Sequence, residues 1–257
     1  MKIGYHISIS KGLSEAAKNV IKEKMTAVQI FPGSPRTYFP GKVSDFESFK
    51  TLNVPKFVHI NYLVNLADSK PVIFKSIAEN LKFSEQVESC GLVIHMGSNP
   101  NKEQGMKNTV DNINNAIEIL GYKPTTKILI ETTSEGGNRL KWNDILELKK
   151  LMPNIGVCVD TCHLYSAGYS HNQIIEIIEK YNDVIDLIHL NNPSPNVEMG
   201  NHKDQHDISL FDVKGKFSNI EIENFISVCN LYKIPMILET GQLKNDFDLI
   251  KEKYQNF

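Results

Sequence analysis

Residues Gly156–Asp160 read GVCVD, four small or apolar residues in a row and then a carboxylate. Such a run is too short for a buried helix. Its lack of polar alternation suits a strand covered on both faces, as in a parallel sheet. Similar runs lie on either side. Upstream are Lys127–Glu131 (KILIE), Leu92–Met96 (LVIHM), Lys56–Ile60 (KFVHI), Ala27–Phe31 (AVQIF) and Lys2–His6 (KIGYH); downstream are Val184–Leu190 (VIDLIHL) and Pro235–Glu239 (PMILE). Between them, apolar residues recur at helical spacing, as with Ala16, Ala17, Val20 and Ile21 in Ser14–Lys24, or Ile174, Ile175, Ile177 and Ile178 in His171–Tyr181. Pro71–Cys90, Asn108–Leu120, Asn143–Leu151, Ile220–Tyr232 and Asp246–Tyr254 read the same way, and Ser44–Leu52 more weakly. Strand–helix alternation repeated eight times in 257 residues predicts an α/β fold, a (β/α)8 TIM barrel. No Pro/Gly/Ser-rich linker or low-complexity tract divides the chain, so a single domain over residues 1–257 is expected.

The strand ends carry the chemistry. His6, His59, His95, Glu131, Asp160, His189 and Glu239 each stand at or next to the C-terminal end of an apolar run. In a barrel those ends surround one mouth, where active sites are built. A strand often ends on a polar residue merely because the chain is reaching water, but that does not explain seven ends bearing only imidazoles and carboxylates. Crowded carboxylates repel one another and cations relieve the repulsion. Imidazole with carboxylate suits Zn²⁺, with Mn²⁺ or Fe²⁺ as competitors.

Two short motifs add ligands. Asp160-Thr-Cys-His163 sets an imidazole just beyond a strand-end carboxylate, and Asp204-Gln-His206 places two ligands at i and i+2, on one side of an extended segment. Cys162 is not read as a nucleophile or ligand, because no second cysteine is spaced to assist it. His6 is expected outside the ligand set, touching the ligands or the substrate, with a satisfied core histidine as its alternative role. His171 is expected on the surface at a helix start, and His202 in a solvated loop, with a phosphate contact as its alternative role.

Composition limits the options. Hydrophobic content of 41% and charged content of 23% are ordinary for a globular protein. No apolar run approaches 18 residues and Met1 leads straight into a strand, so neither a membrane span nor a signal peptide is expected. Cys90, Cys158, Cys162 and Cys229 are scattered and read as buried free thiols in a reducing, cytoplasmic compartment. A formal net charge of −2 excludes a generally basic coat, so any nucleic acid must meet local positive charge. Against 26 lysines the chain has two arginines, Arg36 and Arg139, both in loops that follow strands on the mouth side.

Several segments together resemble the endonuclease IV family of abasic-site nucleases. They are GYHIS (Gly4–Ser8), HMGS (His95–Ser98), VCVDTCHLYSAGY (Val157–Tyr169), HLNN (His189–Asn192), KDQH (Lys203–His206) and ILET (Ile237–Thr240). The resemblance runs from the first strand to the eighth. It implies three Zn²⁺ ions, with Mn²⁺ as an alternative at one position. His59, His95 and Glu131 would hold the first; Glu131 would bridge to a second completed by Asp160, His189 and Glu239; His163, Asp204 and His206 would hold the third. It also implies that double-stranded DNA containing abasic sites is cut 5′ to the lesion, leaving a 3′-hydroxyl; Glu131 is the candidate to orient the nucleophile. Arg36, Tyr62 and Leu63 match family loops that enter the helix at the lesion. A monomer with no membrane partner is expected.

Two positions depart from the family pattern. Asn192 stands where an aspartate is usual, and DISLFDVKG (Asp207–Gly215) replaces a short glycine-rich turn of which only Gly215 survives. The altered loop bears on the support of the third ion and on its phosphate contacts, without removing a ligand. The main rival reading is a metal-dependent sugar isomerase or epimerase on the same barrel, which has little use for a third ion or for the Arg36 and Tyr62 loops. A metal-dependent binding barrel without turnover is the other, favoured only by the altered loop.

Overall fold

The computed structural model describes residues 1–34 and 36–254. Eight parallel strands follow one another: β1 (Ile3–Tyr5), β2 (Val28–Ile30), β3 (Lys56–His59), β4 (Gly91–His95), β5 (Lys127–Glu131), β6 (Gly156–Asp160), β7 (Ile185–Leu190) and β8 (Met236–Leu238). From β2 to β8 each strand pairs with its sequence neighbours, and β1 pairs with β8. Between β1 and β2 the ring is drawn together by a bridge from His6 to Gln29, with Ile7 N–H donating to the Gln29 carbonyl at 2.9 Å. The expected TIM barrel is thus the observed architecture, and β1, β2 and β8 are shorter than their apolar runs.

Helices α1 (Leu13–Glu23), α2 (Phe46–Lys50), α3 (Pro71–Gln86), α4 (Lys102–Leu120), α5 (Trp142–Leu151), α6 (Thr161–Ala167), α7 (His171–Lys180), α8 (Asn219–Leu231) and α9 (Leu243–Lys253) surround the strands. α4 begins at Lys102 rather than Asn108. Its first turns are polar and carry no apolar period, while Asn101 caps it by accepting from Gln104 N–H at 3.0 Å. α6 was not expected. It is started by Asp160, whose carboxylate caps the His163 N–H, and stopped by Gly168 in the left-handed region at φ 112°. None of the described helices is long and apolar enough to cross a membrane.

Side chains on a strand alternate between faces, and this alternation builds the mouth. One buried layer inside the barrel takes Ala27, Phe57, Val93, Leu129, Cys158, Leu187 and Ile237, one from each of seven successive strand segments. Two residues further along each segment stand Gln29, His59, His95, Glu131, Asp160, His189 and Glu239. The apolar layer is therefore the floor, and the polar set is the next layer up. On β1, Gly4 is obligatory: a β-carbon there would lie 1.8 Å from the Ala27 carbonyl oxygen. The opposite strand faces pack on the helices in a larger core that includes Ile30, Val58, Leu92, Ile130, Val159 and Ile188. Each such side chain contributes about 1.5–3 kcal/mol by leaving water.

Two expectations are corrected. Cys90 is exposed, while Cys158, Cys162 and Cys229 are buried free thiols. His171 is buried rather than a surface residue, with its ring centroid 4.8 Å from that of Phe225 and 6.2 Å from that of Phe217. Phenylalanines from distant sequence cover it, which a local reading cannot show.

Candidate metal centre

Glu131, at the end of β5, is the hub. Its Oε2 lies 3.0 Å from His59 Nε2 and 2.9 Å from His95 Nε2, while its Oε1 lies 3.0 Å from His189 Nδ1. Parallel register puts His95 directly across from Glu131, and Asp160 across from His189. Among the described residues, two groups bring ligand atoms within 4.8 Å of one another: His59, His95 and Glu131, and then Glu131, Asp160, His189 and Glu239. One carboxylate serves both, an oxygen toward each.

The histidine tautomers test whether this cluster suits metal. A carbonyl oxygen only accepts, so a ring nitrogen facing one must carry hydrogen. His59 Nδ1–H donates to Ile60 O at 2.7 Å, His163 Nδ1–H to Thr132 O at 2.8 Å, and His206 Nδ1–H to Glu239 O at 2.5 Å. His189 Nε2–H donates to the Gln29 side-chain oxygen at 2.9 Å. In all four rings the remaining nitrogen faces carboxylate: Glu131 for His59, Glu131 and Glu239 for His189, and Asp204 for His163 and His206. A neutral ring would press its lone pair against an anionic oxygen. Only a proton or a metal cation between them makes the contact attractive. The donor set therefore fits divalent metal.

Without a metal, protons carry that role. Burial pushes the His163 imidazole down, but Asp160, Asp204 and Glu131 raise it to about 10. Burial likewise opposes His206, which Asp204, Asp160 and Glu239 raise to about 9. Burial would raise Glu131, yet His95, His189 and His59 hold its carboxyl well below the usual range. His6 goes the other way: burial, then the neighbouring His59 and His189, lower it to about 3, so it stays neutral.

His163, Asp204 and His206 form a looser set. Asp204 joins them, at 3.1 Å from His163 Nε2 and 3.4 Å from His206 Nε2, but the three do not reach the mutual spacing of the other groups. Asp204 is 44% exposed, whereas Glu131 and His189 are buried.

Neighbouring polar groups hold the cluster in place, and several were not anticipated. Gln29 accepts from His189 and donates to Glu239 Oε1 at 2.9 Å. Asn191 donates to Asp160 Oδ2 at 2.7 Å, and the Thr132 hydroxyl accepts from Asp160 N–H at 2.9 Å. Gln29 had a signal in the sequence: it is the polar residue inside AVQIF, in the same inward register as the ligands. Asn192 is fully buried and donates to the carbonyls of Leu210 and Phe217, both at 2.9 Å, while accepting from Phe217 N–H. An aspartate could not make the two donations. The altered Asp207–Gly215 loop is also fastened by Asp246, which accepts from Leu210 N–H at 3.0 Å.

At the rim, Tyr62 is 59% exposed and Leu63 44% exposed. The Tyr62 ring is 5.3 Å from that of Phe31, which in turn lies 4.3 Å from His6. Exposed Arg36 lies on the loop after β2. Asn61 joins that loop to the Tyr62 loop by donating to Phe39 O at 3.4 Å. A hollow of about 200 Å³ lies beside the cluster, lined by Tyr62, Asn65, His95, Ser98, Arg139 and Asp204 among others. Arg139 donates to the Ser134 hydroxyl, and exposed His202 donates from Nδ1 to Ser134 O at 2.7 Å, clasping the loops after β5 and β7. Cys162 is buried with its thiol pushed up, first by burial and then by Asp160, and so is a poor nucleophile.

The xylose isomerase-like TIM barrel family matches residues 19–245. A probable endonuclease 4 of Carboxydothermus hydrogenoformans is 31% identical, covering 98% of this chain and 95% of its own. One of Thermosipho melanesiensis is 34% identical over 93% and 92%. The crystal structure of endonuclease IV from Thermus thermophilus superposes with a TM-score of 0.83 at 24% identity, covering 99% of both chains. With relatives this similar along nearly their whole length, the chain belongs to the endonuclease IV family of xylose isomerase-like TIM barrels.

Proposed function

We propose that this chain is a metal-dependent phosphodiester hydrolase that cuts double-stranded DNA 5′ to abasic sites and leaves a 3′-hydroxyl. The observation that carries the reading is Glu131, whose two oxygens are divided between two groups of potential ligands. His59, His95 and Glu131 would hold one ion, Glu131, Asp160, His189 and Glu239 a second, and His163, Asp204 and His206 a third, zinc being favoured by the nitrogen-rich set. Bound metal supplies Lewis-acid charge at the phosphoryl oxygens and lowers the pKa of water.

The chain's own groups do the rest. Glu131 orients the attacking water, and His6, neutral beside His59 and His189, adds no repelling charge. Tyr62 and Leu63 offer exposed apolar surface next to the centre, suited to the gap left by a missing base. Arg36 supplies local positive charge to a chain with a formal net charge of −2. We take the enzyme to be a single-domain monomer of the cell interior that engages no membrane. The test is product analysis on a duplex with one tetrahydrofuran abasic analogue. A nick immediately 5′ to the lesion, extendable by a polymerase without end-trimming, supports the reading; an intact duplex, or an end that cannot be extended, overturns it.

A further inference from the structure

We infer that Gln29 is a positioning residue that sets both His189 and Glu239 of the centre. The inference rests on the proposed metal reading. Gln29 is fully buried in the ligand layer. Its carboxamide is used at both ends: the oxygen accepts from His189 Nε2 and the nitrogen donates to Glu239 Oε1, each at 2.9 Å. The orientation is forced, because the Glu239 carboxylate only accepts and would repel the amide oxygen.

Two consequences follow. With hydrogen committed to Nε2, His189 keeps Nδ1 as its free lone pair, and that nitrogen faces Glu131 Oε1 at 3.0 Å and Glu239 Oε2 at 3.3 Å. With Oε1 of Glu239 spent on Gln29, its Oε2 is the oxygen left to face the cluster. One neutral side chain thus sets the tautomer of an imidazole and the rotation of a carboxylate that belong to the same ligand group. A hydrocarbon offers neither contact, and an ionised glutamate would set a second anion against Glu239. The β1–β2 closure uses the Gln29 backbone carbonyl, not its side chain, so the barrel does not depend on the amide.

The experiment compares Gln29→Met, nearly the same shape without the hydrogen bonds, with Gln29→Ala, which also removes the volume. Zinc affinity is measured against a competing chromophoric chelator, and cobalt(II) is substituted to read ligand geometry from its visible absorption. Both variants should lose about 10–100-fold in affinity at one class of site, the range typical for losing a partner of a metal ligand. Both should also change the cobalt spectrum while keeping the wild-type circular dichroism. If Gln29→Met matches wild type and only Gln29→Ala differs, Gln29 merely fills space and the inference is wrong. Should Gln29→Met fail to fold, wild-type affinity and spectrum in Gln29→Ala would overturn it equally. A wild-type protein that binds no zinc would instead overturn the metal reading itself.

Discussion

The side-chain amide of Asn192 occupies the space that a β-carbon at residue 215 would need. Such an atom would lie 2.3 Å from Nδ2 and 2.5 Å from Oδ1, so Gly215 is what allows Asn192 to sit there. The two departures from the family pattern are therefore one feature. The amide replaces a carboxylate because it donates to two carbonyls, and the single glycine kept in the rewritten loop makes room for it. Asn192→Asp should cost about 1–3 kcal/mol, the usual price of burying unpaired carbonyls. Gly215→Ala should cost a similar amount, about 1–3 kcal/mol, through overpacking. Urea midpoints unchanged from wild type in both variants would show that the pair does not hold the loop.

That loop follows directly on Asp204 and His206, and this bears on metal retention. The set containing Glu131 and His189 is buried on strand ends, whereas Asp204 is 44% exposed on a loop. The ion assigned to His163, Asp204 and His206 should therefore leave first. Graded chelation followed by elemental analysis should plateau at about two metals per chain, with activity lost before the plateau. Simultaneous release of all the metal would contradict this ordering, as would an Asp204→Asn variant with full activity.

Lesion recognition is assigned to the rim. Tyr62→Ala and Arg36→Ala should weaken binding to abasic duplex by about 1–3 kcal/mol, the usual worth of one stacking contact. Binding to intact duplex should change much less, and metal content not at all. A wild-type preference in both variants, measured by fluorescence anisotropy on matched duplexes, would reduce these loops to scaffolding.

The metal-free protein should have a distinctive pH dependence. His163 and His206 are raised in the folded chain to about 10 and about 9, against an ordinary 6.5. A folded pKa above the unfolded value contributes stability that is complete below 6.5 and disappears as pH rises through the folded pKa. The chelated protein should then lose stability approaching pH 9 to 10, where buried lone pairs come to face Asp204 bare. The zinc-loaded protein should not, since metal replaces those protons. Parallel melting curves for the two forms over pH 7 to 10 would contradict the tautomer argument.

Much of this centre was legible because a strand has a period of two. Once Phe57, Val93, Leu129 and Ile237 are placed inside the barrel, His59, His95, Glu131 and Glu239 must join them one layer up. The same count identifies Gln29, yet a search for ionisable residues passes over an amide. α6 stayed hidden because a seven-residue helix between a strand and a loop carries too little period to register, although Asp160 and Gly168 mark its ends. Burial of His171 depends on Phe217 and Phe225, and the clasp at Asn192 on Leu210 and Phe217. Contacts between distant segments leave no local mark.

The most direct test of the central claim is one incubation of purified protein with a duplex carrying a single tetrahydrofuran abasic analogue, without added Mg²⁺. Cleavage beside the analogue should be seen, should vanish after prolonged chelation, and should return on adding zinc, because tight histidine-rich sites keep zinc through purification. Cleavage that requires millimolar Mg²⁺ and survives chelation of zinc would contradict the reading of the cluster around Glu131 as a zinc centre.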